Sequence, residues 1–434
     1  MPGLTHTLDV ARRALMAQQS VLSVIGHNIA NANTPGYARQ IAHLQAEAPQ
    51  LWGGRQWGNG VTLAAITQRR TQLLDQRLRA ELSGLGGWRM RATVLAGVEE
   101  LLQEPSERGL GATLDAFFSA WSGLSSNPED MALRAQVLAQ SQVLAERFRE
   151  MDGRMERVGR EVGAQIDIEL AAFNEKLAAI ESVSRQIAAA EQGGGRANDL
   201  RDRRAQWLDE LSEVADLQWS EGPGGAWTLR AGGRVVLDQS GARPLRRSDL
   251  NGAVSGGSLG GLLELQAEGL PALRERLDLL ARDLIAQVNA LHRAGPSQSD
   301  FFSGGGAGDM AVSATIAHDL TALNVSTSGL EGENDIALAI GQLRESRIID
   351  RLGMTPGEYW SAFTGRVGTL AGEARFQAEN AEWTAAAAQA ARDAQQGVSL
   401  DEELAAMVST QNAYLAAARV FDIASQMMDT LLRI

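Results

Sequence analysis

Two apolar stripes of heptad spacing, one at each end of the chain, constrain its fold more than anything between them. Near the N-terminus Leu4, Leu8, Ala11, Leu15, Gln18, Leu22, Ile25 and Ile29 advance by alternating steps of four and three residues. The last segment repeats the pattern through Leu400, Leu404, Met407, Gln411, Tyr414, Ala418, Phe421, Ser425, Met428 and Leu432. Such steps place the side chains along one side of a helix, and that side needs a partner helix to cover it. Enzymes seldom carry their longest adhesive surfaces at two free ends, whereas chains that polymerise through their termini do. A helix of about 28 residues is roughly 42 Å long. Pairing it with the other terminus and with neighbouring subunits removes apolar area from water at about 25 cal/mol per Å². The ends are therefore expected to be poorly ordered in a free monomer and to fold on assembly. Gln18 and Gln411 either set the register of the seams through a buried hydrogen bond or face water; spacing alone leaves both open.

Composition narrows the class. A chain of 434 residues has room for about three domains. Long Ala/Leu/Gln/Arg/Glu segments separate Gly-rich, Trp-containing ones, which predicts a mainly α fold with β insertions. A net charge of −13 without a strong basic cluster argues against a nucleic-acid partner. Lys176 is the one lysine, so a phosphate-loop or Schiff-base lysine has a single candidate, set in an ordinary helical pattern. With no cysteine there is no disulfide, thiol catalysis or Cys-based zinc site. Asp9, Arg12 and Arg13 break up the N-terminal apolar residues, so no cleaved secretory signal is expected, and no apolar run is long enough to span a bilayer.

Local signals mark the elements. The first helix is expected from about Leu4 to Ala30, ended by Asn31-Ala32-Asn33-Thr34-Pro35-Gly36. Turns at Gly53-Gly54 and Asn59-Gly60, with Val61, Leu63 and Ala65 alternating, predict a β arm near 41–68. Helical spacing resumes at Thr71. Asn127-Pro128-Glu129-Asp130 reads as the start of a helix that continues, with interruptions, to Gln192 and stops at Gly193-Gly194-Gly195; Asn198 reads as the cap of the next one. Thr355 to Glu358 and Ser399 to Glu402 read as capping boxes. Between about Leu217 and Gly257, Gly224-Gly225 and Gly232-Gly233 separate short β runs, a small insertion of two or three hairpins. From Leu259 a helix runs to about Leu291, and 295–334 reads as loop with minor strands. The domain expectation is 1–36 plus 397–434 as a terminal coiled-coil axial core, 37–216 plus 258–396 as a mostly helical middle, and 217–257 as a β insertion.

Catalytic constellations are sparse. His6, His27, His43, His292 and His318 share no metal-ligand spacing, and the pairs Glu99-Glu100 and Glu402-Glu403 read as solvated faces or helix-start charges. Gly256-Gly257-Ser258-Leu259-Gly260 matches a nucleophile elbow, but the turn Asp249-Leu250-Asn251-Gly252 stands where the buried strand should be, and no βαβ pattern surrounds it. A serine hydrolase using Ser258 is the rival reading of a different class. The run from Gly304 to Gly308 has no strand before it and no lysine after it, and reads as flexible loop. Neither a catalytic site, a cofactor nor a bound metal is expected.

The block from His27 through Asn28, Ala30, Asn31, Asn33, Thr34, Pro35 and Gly36 to Tyr37 resembles the signature of the bacterial flagellar rod, hook and hook-associated axial proteins. Its continuation, Tyr37-Ala38-Arg39-Gln40, is similar to the hook-associated protein 1 family, where serine is commoner at the second position. Gly58 to Val61, Phe117 to Trp121, Ser126 to Pro128, Asn198 to Arg203 and Gly257 to Leu263 agree with it. So do Gly397 to Glu403, Tyr414, Ala416 to Val420 and Asp429 to Leu432. The likeness is weakest at 217–250 and 296–335, and the short middle implies that the outermost domain of longer relatives is missing. Another axial protein, a rod or hook subunit, is the nearest alternative, against which 198–203 and 397–403 speak.

The resemblance implies a structural part of the flagellum: a hook–filament junction adaptor whose terminal helices form the inner layer of a tubular ring of its own copies. Hook protein on one side, a second junction protein on the other and an export chaperone on the C-terminal helix are the implied partners, with no nucleic acid and no membrane. The implied location is extracellular, reached unfolded through the flagellar type III channel.

Overall fold

A computed structural model describes the chain except residues 1, 53, 103–108, 223–226, 251–253, 350–352 and 434, and the side chains of Pro2 and Trp52. The expected turns at Gly53, Gly224-Gly225 and Asn251-Gly252 therefore lie wholly or partly outside the described residues. The chain is mainly helical and divides into two compact units. The first comprises Met1–Leu85, Leu170–Gly257 and Ala381–Ile434, the second Gly86–Glu169 and Ser258–Asn380.

In the first unit, α1 (Pro2–Ala30) ends where the Asn/Pro/Gly run begins. The amide of Thr34 returns to the Asn31 carbonyl (2.9 Å), and Gly36 takes a φ of +76° that a side chain would resist. The arm is the antiparallel pair β1 (Gln40–Ala46) and β4 (Val61–Gln68), tipped by β2 (Gln50–Trp52) and β3 (Arg55–Trp57). A bulge between His43 and Leu44 bends the long pair. The arm lies along α1: His6 Nε2 meets the Gly58 carbonyl (3.1 Å), and Gly60 sits against the Val10 backbone.

The β insertion is a four-stranded antiparallel meander, β5 (Leu217–Glu221), β6 (Trp227–Ala231), β7 (Arg234–Asp238) and β8 (Gly241–Ala242). It is fastened to the C-terminal third of the long helix Met131–Glu191, where Asn174 gives and takes a hydrogen bond with the Leu245 backbone (2.8 and 2.9 Å). The terminal helix α11 (Leu400–Leu432) packs against α1.

The second unit holds a large core in which Phe117, Phe118, Trp121, Phe301 and Phe302 interlock edge to face. Helices α2 (Gln72–Leu102), α4 (Met131–Glu191) and α10 (Pro356–Gln396) pass from one unit into the other. The short helices α3 (Leu110–Ser126), α6 (Gly257–Glu264), α8 (Ala314–His318) and α9 (Asp335–Gln342) complete the core with α7 (Leu270–His292). Between α6 and α7 one π turn, Leu265–Gly269, intervenes. Pro271 follows after Leu270; proline has no amide to continue the helical ladder, and the wider turn accommodates it.

Several local expectations need correction. Asn127 does not start α4. It ends α3, its amide returning to the Leu124 carbonyl, and Asp130 caps α4 by accepting from Ala132 N (2.7 Å). The helix that follows has no interruption over 61 residues. Asn198 does not cap α5 (Asn198–Val214). Its side chain turns to the arm, donating to Gln40 Oε1 and the Ile66 carbonyl, while Glu191 accepts the Ala197 amide. The glycine run at 304–308 is no free loop. Asp309 accepts from the amides of Gly305 and Gly306, and Asp278 from that of Ala307. A Cβ on Gly306 would stand 2.0 Å from the Asp278 carboxylate, so small residues are needed for the chain to reach these groups. The sequence carries no signal for this because Asp278 lies on a distant helix.

Candidate functional site, the terminal helix pair and its joint

The signature block folds into a polar joint between α1, the arm, α5 and α11. Asn28, 1% exposed, forms its centre. Its amide donates to the Gln40 carbonyl (2.9 Å) and to Glu403 Oε2 (3.1 Å). Its oxygen accepts from the Tyr37 hydroxyl (2.8 Å) and the Gln40 amide (2.9 Å). Four bonds satisfy every donor and acceptor that matters on a buried carboxamide, and this is why a shorter or apolar side chain cannot replace it.

Arg39 closes the joint from the other side. Its Nε donates to Glu403 Oε1 (2.6 Å) and its Nη1 to Glu402 Oε2 (2.7 Å), while its own amide reaches the Gln396 carbonyl (2.9 Å). Ser399 caps α11 through the Glu402 amide, but Glu402 does not reach back as a full capping box requires; its carboxylate is committed to Arg39. By contrast the Thr355/Glu358 box is complete in both directions. A second layer supports the first. Asp202 accepts from Arg70 (2.7 Å), whose Nη2 also donates to the Gly36 carbonyl (3.1 Å), and Asp199 accepts from Gln40 (3.0 Å). Burial pushes the Asp202 carboxyl above its usual range, with Arg70 opposing.

Burial, reinforced by Asp202, Asp199 and Glu403, pushes the Tyr37 phenol far above its ordinary value of 10.0. The folded chain thus holds this proton more tightly than the unfolded chain does. That contribution to stability is complete below about pH 10 and declines as pH rises through the unfolded value towards the folded one. Tyr37→Phe is expected to flatten the alkaline loss of stability and to cost about 1 kcal/mol at neutral pH from the lost hydrogen bond. Urea unfolding of both forms at neutral and alkaline pH measures each effect.

The structure distributes the apolar stripes as follows. On α1, Ala11, Val24 and Ile25 are buried and Leu4, Leu8, Leu15, Gln18, Leu22 and Ile29 half-buried. On α11 the covered positions are Glu403, Met407, Thr410, Tyr414, Ala417, Phe421, Ala424 and Met428, again stepping by four and three. Met407, Tyr414, Phe421 and Met428 of the sequence-derived stripe lie on this face, with Ala418 and Ser425 at its border. Leu400, Leu404, Gln411 and Leu432 are exposed beside it. One of the two rows runs one residue earlier than spacing suggested. The reason is Glu403: the buried carboxylate, not an apolar neighbour, anchors the start of the pairing. Gln411, being exposed, holds no register within the chain. Both ends are helical and cover each other along one face, because one chain supplies the first partner that each end needs.

Of the signature residues, Asn28 is buried and Asn31, Gly36 and Tyr37 are half-buried. Ala30, Asn33, Thr34 and Pro35 are exposed in or beside the turn. Sequence reasoning missed Arg39, Gln40 and Glu403 as joint residues. Their only signal lay in the two separate family-like blocks, Tyr37 to Gln40 and Gly397 to Glu403, and nothing in spacing couples residues 364 apart.

Ser258 stands in the first turn of α6 and donates to Glu169 (2.7 Å). His292 Nδ1 meets the Ser299 carbonyl (2.7 Å) and its Nε2 accepts the Asn324 amide (2.9 Å), so the ring ties a loop down. Gly257, with φ +69°, lies against the Val214 backbone, and a Cβ on Gly256 would meet Ser83 and Asp216; these approaches explain the first two glycines of the elbow-like motif. Among the described residues no group of three or more His, Asp or Glu side chains is arranged to hold a metal ion. No described helix is long and apolar enough to cross a membrane.

Comparison with known proteins agrees with this architecture. Residues 95–251 and 244–305 match the model of the flagellar hook-associated protein FlgK helical domain. Residues 8–37 match that of flagella basal body rod proteins, and 393–434 that of the flagellar basal body rod FlgEFG protein C-terminal region. The chain is 28% identical to flagellar hook-associated protein 1 of Bacillus subtilis over 98% of its own length and 97% of that protein. It is 27% identical to the protein of the same name from Salmonella typhimurium and 26% to that of Escherichia coli, covering 69% and 72% of this chain. Those alignments span 60% and 64% of the longer enterobacterial proteins. The solved structure of the flagellar hook junction protein FlgK from Burkholderia pseudomallei shares the fold, with a TM-score of 0.64 and 13% identity over 75% of this chain and all of that one. By its paired terminal helices, its axial-protein signature and these matches, the chain belongs to the flagellar hook-associated protein 1 family.

Proposed function

We propose that this chain is a structural adaptor of the bacterial flagellum, polymerising through its terminal helices at the junction of hook and filament. The observation that carries the reading is the surface of α11. Leu404, Val408, Leu415, Val420, Ile423 and Met427 remain 47–58% exposed although α1 covers the opposite face. A helix apolar on several sides belongs in an interior. Full burial of such a side chain is worth about 1.5–3 kcal/mol; half-exposed, each forgoes part of that, which further copies of the chain in a ring would recover. Hook protein and a second junction protein are the partners of the two end-faces. An export chaperone covers the exposed α11 surface before assembly by the helix-in-groove mode. Export as an unfolded chain through the flagellar channel suits a protein with no disulfide to undo.

The triple change Leu404→Ser, Leu415→Ser, Ile423→Ser separates assembly from folding. Because these side chains are exposed in the monomer, urea unfolding is expected to shift by no more than about 0.5 kcal/mol per site. Cells carrying the variant are expected to retain hooks, lack filaments in electron micrographs, shed filament protein into the medium and lose swimming. Gene deletion is expected to give the same phenotype. A triple variant that swims normally refutes assembly through this face.

A further inference from the structure

A cleft of about 220 Å³ opens in the first unit between the end of the arm, α2, α5 and β5. Five arginines line it, Arg70, Arg79, Arg196, Arg201 and Arg204, against two carboxylates, Asp75 and Glu221. Carboxylates outside the lining hold some of them: Asp202 takes Arg70 (2.7 Å), Asp209 takes Arg79 (2.9 Å) and Glu191 takes Arg201 (2.7 Å). Arg392 adds a further guanidinium, paired with Asp209 and 3.7 Å from Asp75. The cluster thus sets six cations against five anions, and one positive charge is left over. Among the described residues Arg196, exposed beside the cleft, makes no direct ion pair; its charge acts only at longer range, on Glu191.

The donors are as unbalanced as the charges. Arg204 has a side chain 7% exposed, stacks its guanidinium over Trp219 at 4.6 Å and gives one hydrogen bond, to Glu221 (3.1 Å). Arg79 is equally buried and donates from Nε alone, to Asp209. A guanidinium carries five N–H groups, so both keep donors in residues that wall the cleft. Arg70 Nε is buried with no hydrogen-bond partner, a state that protein interiors rarely tolerate; Asp75 Oδ1 also lacks a hydrogen bond, but it lies 3.7 Å from Arg392, whose charge faces it. Burial holds Arg204 below its usual value with Glu221 opposing, while Glu191 and Glu221 hold the neighbouring Arg201 above its own.

We propose that the cleft binds a small tetrahedral oxyanion of the phosphate class. One such ion supplies the missing negative charge and several acceptors at once, and guanidinium forks match its geometry. Trp219 closes one wall, and 220 Å³ leaves room for the ion with a few waters. Because Arg70 also donates to the Gly36 carbonyl, occupancy bears directly on the joint that holds the terminal helices.

Calorimetric titration of the full chain with inorganic phosphate, against sodium chloride of equal ionic strength, tests this. Saturable binding is expected, with a thermal midpoint that rises with the logarithm of phosphate concentration above the dissociation constant. Arg196→Ala, at an exposed and unpaired position, is expected to leave midpoint and helix content unchanged without phosphate and to weaken phosphate binding on the order of tenfold. Arg160→Ala, on an exposed surface of the other unit, is expected to bind as the parent does. No saturable heat and no midpoint shift beyond the chloride control overturns the proposal. Binding equally affected, or equally unaffected, by Arg196→Ala and Arg160→Ala overturns it as well.

Discussion

Gly257→Ala is expected to destabilise the first unit by about 4 kcal/mol or more, enough to unfold a marginal domain. Two costs add. The backbone at Gly257 has φ +69°, where an alanine is strained by about 1–2 kcal/mol. The new Cβ would also stand 2.2 Å from the Val214 carbonyl carbon and 2.3 Å from the Ala215 amide. Both are backbone atoms and cannot swing aside, so the chain itself must move, which exceeds an ordinary overpacking cost of about 1–3 kcal/mol. Its neighbour behaves differently. Ser258→Ala loses one hydrogen bond, to Glu169, and is expected to cost about 1–2 kcal/mol. Guanidinium unfolding of both variants gives the comparison. A Gly257→Ala protein within about 1 kcal/mol of the parent, the error of such extrapolations, would mean that this close crossing does not exist in solution.

The second large effect lies at the joint. Asn28→Ala strands the Gln40 amide and carbonyl and one oxygen of Glu403, all buried, and is expected to cost about 3–5 kcal/mol. Glu403→Ala removes a carboxylate 1% exposed that serves both Asn28 and Arg39, and about 3–5 kcal/mol is again expected, since Arg39 loses its buried partner. Glu402→Ala, on the same arginine but 61% exposed, is expected to cost under about 1 kcal/mol. The Asn28→Ala/Glu403→Ala double variant should lose less than the sum of the singles, with a coupling of about 1–3 kcal/mol, because each single already breaks the shared bond. Amide exchange along α11 reports where the loss falls: protection near Glu403 drops first. Equal, small effects at 402 and 403 would show that the buried pair does not form in solution.

These two sites differ in how far they could be read beforehand. The terminal helices, the turn after Ala30, the arm, the small β meander and the complete capping box at Thr355 all follow from local pattern, since period, turn residues and caps act over a few residues. The glycine motif at 256–260 was legible as a pattern but not in meaning: only the approach of Val214 shows why a side chain is barred there. The same holds for Asn198, whose residue type suits a cap yet whose side chain serves the arm. Asn127 and Asp130 exchanged roles because the preceding helix claims the first of them.

Order along the chain by itself determined that both ends are long helices with one sticky side, because heptad spacing needs no distant information. It also determined that cysteine chemistry plays no part and that a compact asparagine-rich turn follows the first helix. Tertiary structure alone decided which row of α11 meets α1. That choice rests on Glu403, held by Asn28 and Arg39 across hundreds of positions of sequence: a carboxylate taken out of water is costly unless it keeps its partners, so it fixes where the two helices begin to pair.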